Sequence, residues 1–118
     1  MQTHKDLEVW KKSIDFVTAL YKHTEKFPKE ELYGLTSQLK RSSVSVPSNI
    51  AEGAARNTNK EYINFLYIAL GSAVEIDTQL LIAKNLGFIS EDSFYSLSKE
   101  NEAVIKMIKG LIKYRKNK

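Results

Sequence analysis

The chain has 118 residues, 42% of them hydrophobic, enough for one core and little more, so residues 1–118 are expected to form a single domain. Two prolines and five glycines leave few turns, which disfavours a fold of many short strands, and with no cysteine there is neither a disulfide framework nor a thiolate site. The net charge of +4 is uneven: residues 1–102 hold twelve cations and fourteen acids, whereas residues 103–118 hold six cations and no acid, so only one end of the sequence is basic.

The opening MQTHKDLEVWKK is charged and lacks an apolar stretch, which is the pattern of neither a secretory leader nor a membrane anchor, and a cytoplasmic protein is expected. A first helix is predicted from about Asp6 to Lys26, with Leu7, Trp10, Ile14, Val17 and Tyr21 on one face at steps of three and four. Phe27-Pro28 ends it, because the residue before a proline is pushed out of the helical region. Tyr33-Gly34 opens a second helix with an inner face of Leu35, Leu39, Ser42, Val46, Ile50 and Gly53. Pro47 lies inside it and removes one backbone donor, which predicts a bend and leaves the Ser43 carbonyl without its usual partner. Ser42, Ser43, Ser45 and Ser48 crowd that spot and are expected to serve the freed backbone.

Thr58-Asn59-Lys60-Glu61 has capping-box spacing and starts a third helix that Leu86-Gly87 closes. This helix carries two apolar seams. One is Tyr62, Leu66, Ala69, Ala73, Ile76, Leu80 and Ala83; beside it run Ile63, Tyr67, Leu70, Val74 and Leu81. At about 100° per residue the two seams span roughly 200°, about twice the stripe a surface helix needs. One layer of neighbouring helices cannot cover both, so Ile63, Tyr67, Leu70 and Val74 are expected to face another copy of the chain. The remaining arc is Glu61, Asn64, Gly71, Ser72, Glu75 and Gln79, interrupted only by Ile68, so the segment is not uniformly hydrophobic as a membrane span would be and no membrane is expected. Ser90 followed by Glu91 and Asp92 begins a fourth helix with a core face of Phe94, Leu97, Asn101, Val104, Ile108 and Leu111. Four helices with short connections give an all-α, antiparallel up-and-down bundle.

Three groups of residues qualify as sites. On the fourth helix Lys106, Lys109, Lys113 and Lys116 fall on one stripe, and with Tyr114 and Arg115 they offer phosphate contacts and stacking to RNA; as helix-end lysines they also serve solubility alone. On the second helix Arg41, Ser45, Ser48, Asn49, Glu52 and Arg56 share an arc of about 100° opposite the apolar face, either as a polar groove or as a solvated row. Glu52 and Arg56 have ion-pair spacing, and Glu75 or Gln79 of the third helix is a candidate partner for Arg41 or Arg56. For catalysis the chain is poorly equipped. His4 and His23 are too far apart to share a metal, His23 suits a helix-end cation, and no phosphate-cradling glycine loop is present, so neither an enzyme nor a cofactor is expected.

Asp6-Leu7-Glu8-Val9-Trp10, Phe27-Pro28-Lys29-Glu30-Glu31, Tyr33-Gly34-Leu35-Thr36-Ser37-Gln38-Leu39, Ser45-Val46-Pro47-Ser48-Asn49-Ile50-Ala51-Glu52-Gly53 and Gln79-Leu80-Leu81-Ile82-Ala83-Lys84-Asn85-Leu86-Gly87 together resemble the bacterial 23S rRNA intervening-sequence proteins over nearly the whole chain. The resemblance implies a four-helix bundle assembled as a ring-like homopentamer. Members occur as reading frames within insertions in large-subunit rRNA genes and elsewhere. The accessory protein of diversity-generating retroelements, a basic pentamer that binds nucleic acid and a reverse transcriptase, is similar. Two functional classes follow for this chain: an oligomeric RNA- or ribonucleoprotein-binding assembly factor, and a structural scaffold for another protein.

Overall fold

A computed structural model describes residues 3–118; Met1 and Gln2, which belong to the expected domain span and to the opening segment, lie outside the described residues. Four helices form the structure: α1 (Glu8–Thr24), α2 (Leu35–Ala54), α3 (Asn59–Asn85) and α4 (Glu91–Lys116). Among the described residues there is no strand. They pack as a bundle with extents of 45 × 23 × 21 Å, in which α1 touches α2 and α4, and α3 touches α2 and α4, so α1 and α3 stand on a diagonal.

The ends of the helices follow local chemistry. Before α1, Thr3 and Asp6 close a complete capping box on a short 3-10 turn, with the Thr3 amide donating to Asp6 Oδ2 at 2.9 Å. Between α1 and α2 a second 3-10 turn, Lys29–Glu31, places the Glu31 carboxylate to accept from the Leu35 amide at 3.1 Å, a cap the sequence pattern did not suggest. At α3 only half of the expected box is made: Thr58 Oγ1 accepts from the Glu61 amide at 3.2 Å. Gly87 ends α3 with φ of 78°, and Phe88 donates to Ala83 O at 2.9 Å while Gly87 donates to Lys84 O at 3.0 Å, the paired bonds of a Schellman cap. Ser90 Oγ accepts from the Ser93 amide at 3.1 Å and starts α4.

The cores of α2 and α3 match the periodicity. Leu35, Leu39, Ser42, Val46, Ile50 and Gly53 are buried on α2, and the entire first seam of α3 is buried, joined by Gln79. On α1 the apolar face read from the periodicity is not the buried one. The buried residues are Val9, Ser13, Phe16, Leu20 and Thr24, while Leu7, Trp10 and Val17 are half-buried and Ile14 and Tyr21 exposed. The physical reason is that two of the core positions are hydroxyls that satisfy themselves locally: Ser13 Oγ donates to Trp10 O at 2.7 Å and Thr24 Oγ1 to Tyr21 O at 2.9 Å. Counting apolar side chains therefore selects the wrong face. On α4 a smaller shift occurs: Ile105 and Ile112 are buried, whereas Phe94 and Leu111 only border the core.

The expectation for the serines also needs correction. Helix α2 is continuous through the buried Pro47, and no hydrogen bond from a described side chain reaches the Ser43 carbonyl. Ser43 Oγ donates to Lys40 O at 2.9 Å, and Ser45 and Ser42 turn to α3, meeting Ser72 Oγ at 2.9 Å and Glu75 Oε1 at 3.5 Å. Their small side chains let α2 and α3 approach closely and supply polar ties there. Gly53 serves the same approach: a Cβ on it would lie 2.8 Å from Phe65 Cβ and 3.2 Å from the Tyr62 carbonyl oxygen. Across the other pair, buried Asn101 of α4 donates to Ala73 O at 2.8 Å and to Asp77 Oδ1 at 2.7 Å, fixing α4 against α3.

Candidate functional site

Antiparallel packing brings the start of α1, the end of α2, the start of α3 and the end of α4 to one end of the bundle, and that end is basic. Lys106, Lys109, Lys113 and Lys116 are all exposed on α4. Lys106 lies 3.9 Å from Glu102; among the described residues Lys109, Lys113 and Lys116 form no ion pair. Lys116 Nζ stands 5.1 Å from the centre of the Tyr67 ring. Lys109, Lys113 and Lys116 share a groove of about 480 Å³ with Tyr67, Leu70 and Ile112. Two groups the sequence suggested separately, the lysine stripe and the second seam of α3, are thus neighbours.

Arg115 does not stand with the lysines. Its Nε donates to Asn59 Oδ1 at 2.8 Å, Asn59 Nδ2 donates back to Arg115 O at 2.7 Å, and the guanidinium sits 4.5 Å from the Tyr62 ring centre. Burial raises the Tyr62 pKa above its ordinary value, and the Arg115 charge pulls the other way. Arg115 therefore clasps the end of α4 to the start of α3, and it also lines a polar cleft. That cleft, of about 270 Å³, is lined by His4, Arg56, Asn57, Asn59, Tyr62 and Arg115 among others. Its residues come from three separate stretches of chain, so no spacing rule reveals it; the pair of guanidiniums is a consequence of topology.

The polar stripe of α2 does not act as one group. Glu52 and Arg56 pair at 2.7 Å on the surface, with Arg56 lying 4.7 Å from the Phe65 ring centre. Asn49 Nδ2 donates to Ser45 O at 2.8 Å and to Ser45 Oγ at 2.9 Å, so these two belong to the α2–α3 packing. Arg41 is exposed and has no ion pair among the described residues. The suggested partners are engaged elsewhere: Glu75 Oε1 accepts from Ser42 and from Gln79 Nε2, the latter at 3.4 Å, and Arg56 is held by Glu52. His4 packs edge-on against Trp10 with ring centres 5.1 Å apart, far along α1 from His23, and no group of three metal-ligating side chains occurs among the described residues.

The expected interface residues divide by depth. Ile63 and Leu70 are half-buried, while Tyr67, Val74 and Leu81 keep 45–50% of their surface exposed. Helix α3 is long and apolar enough to cross a bilayer by length and composition, but its first seam is the core of the bundle.

A model of the family described as 23S rRNA-intervening sequence protein matches residues 5–110. The chain belongs to that family. Among solved structures it is similar to a protein of unknown function from the S23 ribosomal protein family of Bacteroides thetaiotaomicron, at 24% identity over 89% of this chain and 95% of that one, with a TM-score of 0.83. That likeness concerns the fold. No curated protein matches the sequence. Within this 23S rRNA-intervening sequence family member, the Ser-x-Pro-x-Asn-Ile-Ala-Glu-Gly run has a structural meaning: Ser45, Asn49 and Gly53 all lie on the close contact between α2 and α3.

Proposed function

We propose that the protein acts as a homo-oligomer, a pentamer on the family resemblance, that presents a basic rim to RNA or a ribonucleoprotein and catalyses no reaction. The observation that carries this reading is the gathering of unpaired Lys109, Lys113 and Lys116 at the same end of the bundle as Arg56 and Arg115. Copies arranged around an axis repeat that end and sum its field, and phosphate is the polyanion such a field attracts. The exposed Tyr114, with Lys118 5.1 Å from its ring centre, adds a surface on which an unpaired base can stack. Catalysis has no support in the geometry. Among the described residues neither histidine forms an ion pair with a carboxylate, and His4 packs on Trp10.

The test is a salt titration of RNA binding. Binding by the wild type is expected to tolerate sequence and to fall steeply with salt, and replacing Lys109, Lys113 and Lys116 by Gln should flatten the log–log slope by roughly two to three units per engaged subunit. Oligomeric mass should stay the same. If the triple variant binds with the wild-type slope, the contact lies elsewhere, with the Arg56/Arg115 cleft next in line. If the wild type fails to bind RNA at low salt, the second reading takes over: a scaffold whose partner is another protein, favoured by the apolar, Tyr67-bearing floor of the lysine groove.

A further inference from the structure

The polar cleft at the basic end has three walls. His4 and Leu7 form one, the turn between α2 and α3 together with Tyr62 forms the second, and Arg115 forms the third. Among the described residues two arginines and a histidine line it, and no aspartate or glutamate does. Two carboxylates bond residues of its walls without lining it: Glu52 holds Arg56 at 2.7 Å, and Asp6 accepts from the Thr3 amide at 2.9 Å. The two guanidiniums are neighbours by construction. Arg56 sits 4.7 Å from the Phe65 ring centre and Arg115 sits 4.5 Å from that of Tyr62, and these rings are one turn apart on α3.

The charge of Arg115 exceeds what its clasp on Asn59 requires. That exchange takes one side-chain donor, Nε, and one backbone carbonyl, and a neutral side chain can supply as much. Among the described residues no carboxylate pairs with Arg115, and its Nη1 and Nη2 atoms donate to no protein acceptor. The clasp therefore holds a half-buried guanidinium in one place with its terminal donors unspent, which is the arrangement that a planar, two-pronged anion contact needs. The backbone adds to it. Among the described residues the amides of Asn57, Thr58 and Asn59 meet no protein acceptor, and they lead into the start of α3, whose dipole favours negative charge.

We propose that this cleft binds the phosphate group of a small phosphate ester of about mononucleotide size. Arg115 and Arg56 grip the phosphate, the amides that lead into α3 donate to it, and the organic part leaves past His4. Size fits that division. At about 270 Å³ the cleft falls just under the roughly 300–1,000 Å³ usual for small-molecule pockets, enough for a phosphate and little more. Across Thr3, His4 and Ala54 it continues into an open hollow of about 480 Å³ beside Lys5, which gives the rest of an ester a place to lie. The cleft and the lysine groove share no lining residue, so the site goes beyond the RNA reading above and stands without it.

The test is a titration of the full chain with AMP, adenosine and inorganic phosphate, followed by calorimetry, by backbone amide NMR shifts and by the fluorescence of Trp10, the sole tryptophan, against which His4 packs. AMP and phosphate should bind, adenosine should bind about tenfold or more weakly than AMP, and AMP should change the Trp10 emission. AMP should move the amide signals of Asn57, Thr58 and Asn59 and leave those of Lys109 and Lys113 in place. Arg56→Gln and Arg115→Gln should each weaken AMP about tenfold or more. Arg56 is on the surface, so its variant carries the test if Arg115→Gln loosens the end of α4. No binding of AMP or phosphate at millimolar concentration, equal affinity for adenosine and AMP, or full affinity in both arginine variants overturns the site. Shifts confined to the lysines overturn it too, by placing the ligand on the rim. RNA binding that falls in the arginine variants while AMP fails to bind overturns the small ligand and gives the cleft to RNA. A wild type that binds AMP and no RNA upholds the site and contradicts the rim alone.

Discussion

Helices α1 and α3 pose the same problem, two apolar faces on one helix, and resolve it differently. On α3 the inner face is a run of Leu, Ile, Tyr and Ala, joined by Gln79, that is buried throughout, and the outer face carries exposed Tyr67, Val74 and Leu81. On α1 the inner face contains Ser13 and Thr24, and the outer face holds Trp10, Ile14, Val17 and Tyr21. The lesson is that hydrophobicity alone ranks the faces of a helix poorly. A hydroxyl that returns its bond to its own helix is a good core residue, and Trp10 is only half-buried at the border of the core.

The comparison can be broken most sharply by truncation on each face. Leu66→Ala and Leu20→Ala, both at fully buried positions, should destabilise by about 2–5 kcal/mol in chemical denaturation. If Ile14→Ala on the outer face of α1 costs as much in a Val74→Glu background, expected to be monomeric because the outer face of α3 is charged, the assignment of the α1 faces is wrong. Next in size is Gly53→Ala, where the added methyl meets Phe65 and Tyr62; a loss of about 1–3 kcal/mol is expected, and an unchanged melt would deny the close α2–α3 approach. Asn101→Ala should cost about 1–3 kcal/mol by leaving Asp77 without its donor. The smallest effect belongs to Ser13→Ala. Its hydroxyl and the Trp10 carbonyl serve each other within one helix, so the change should stay within about 1 kcal/mol. A large loss there would show that the hydroxyl does more than satisfy itself.

Legibility in the sequence follows the range of the interaction. Helix number, the Thr58, Gly87 and Ser90 ends, the α2 core and the α3 core all depend on residues within four positions of one another, and periodicity reads them directly. Face choice on α1 depends on packing against α2 and α4, which apolar periodicity alone does not decide. The lysine stripe is legible because its residues share one helix, but its adjacency to Tyr67 and Leu70 is not, since it joins α4 to α3. Arg115 shows the limit most clearly: one residue away from the stripe along the chain, it turns to Asn59, 56 positions earlier, and becomes a clasp. The cleft it shares with Arg56 and His4 left no local signal at all.

The central claim is that the apolar outer face of α3 exists to be covered by further copies of this chain. Light scattering of the wild-type protein at micromolar concentration tests it most directly. The account predicts a mass several times the 13.5 kDa of one chain, lost in the Val74→Glu variant with the helices intact. A wild-type mass of one chain at that concentration would contradict it.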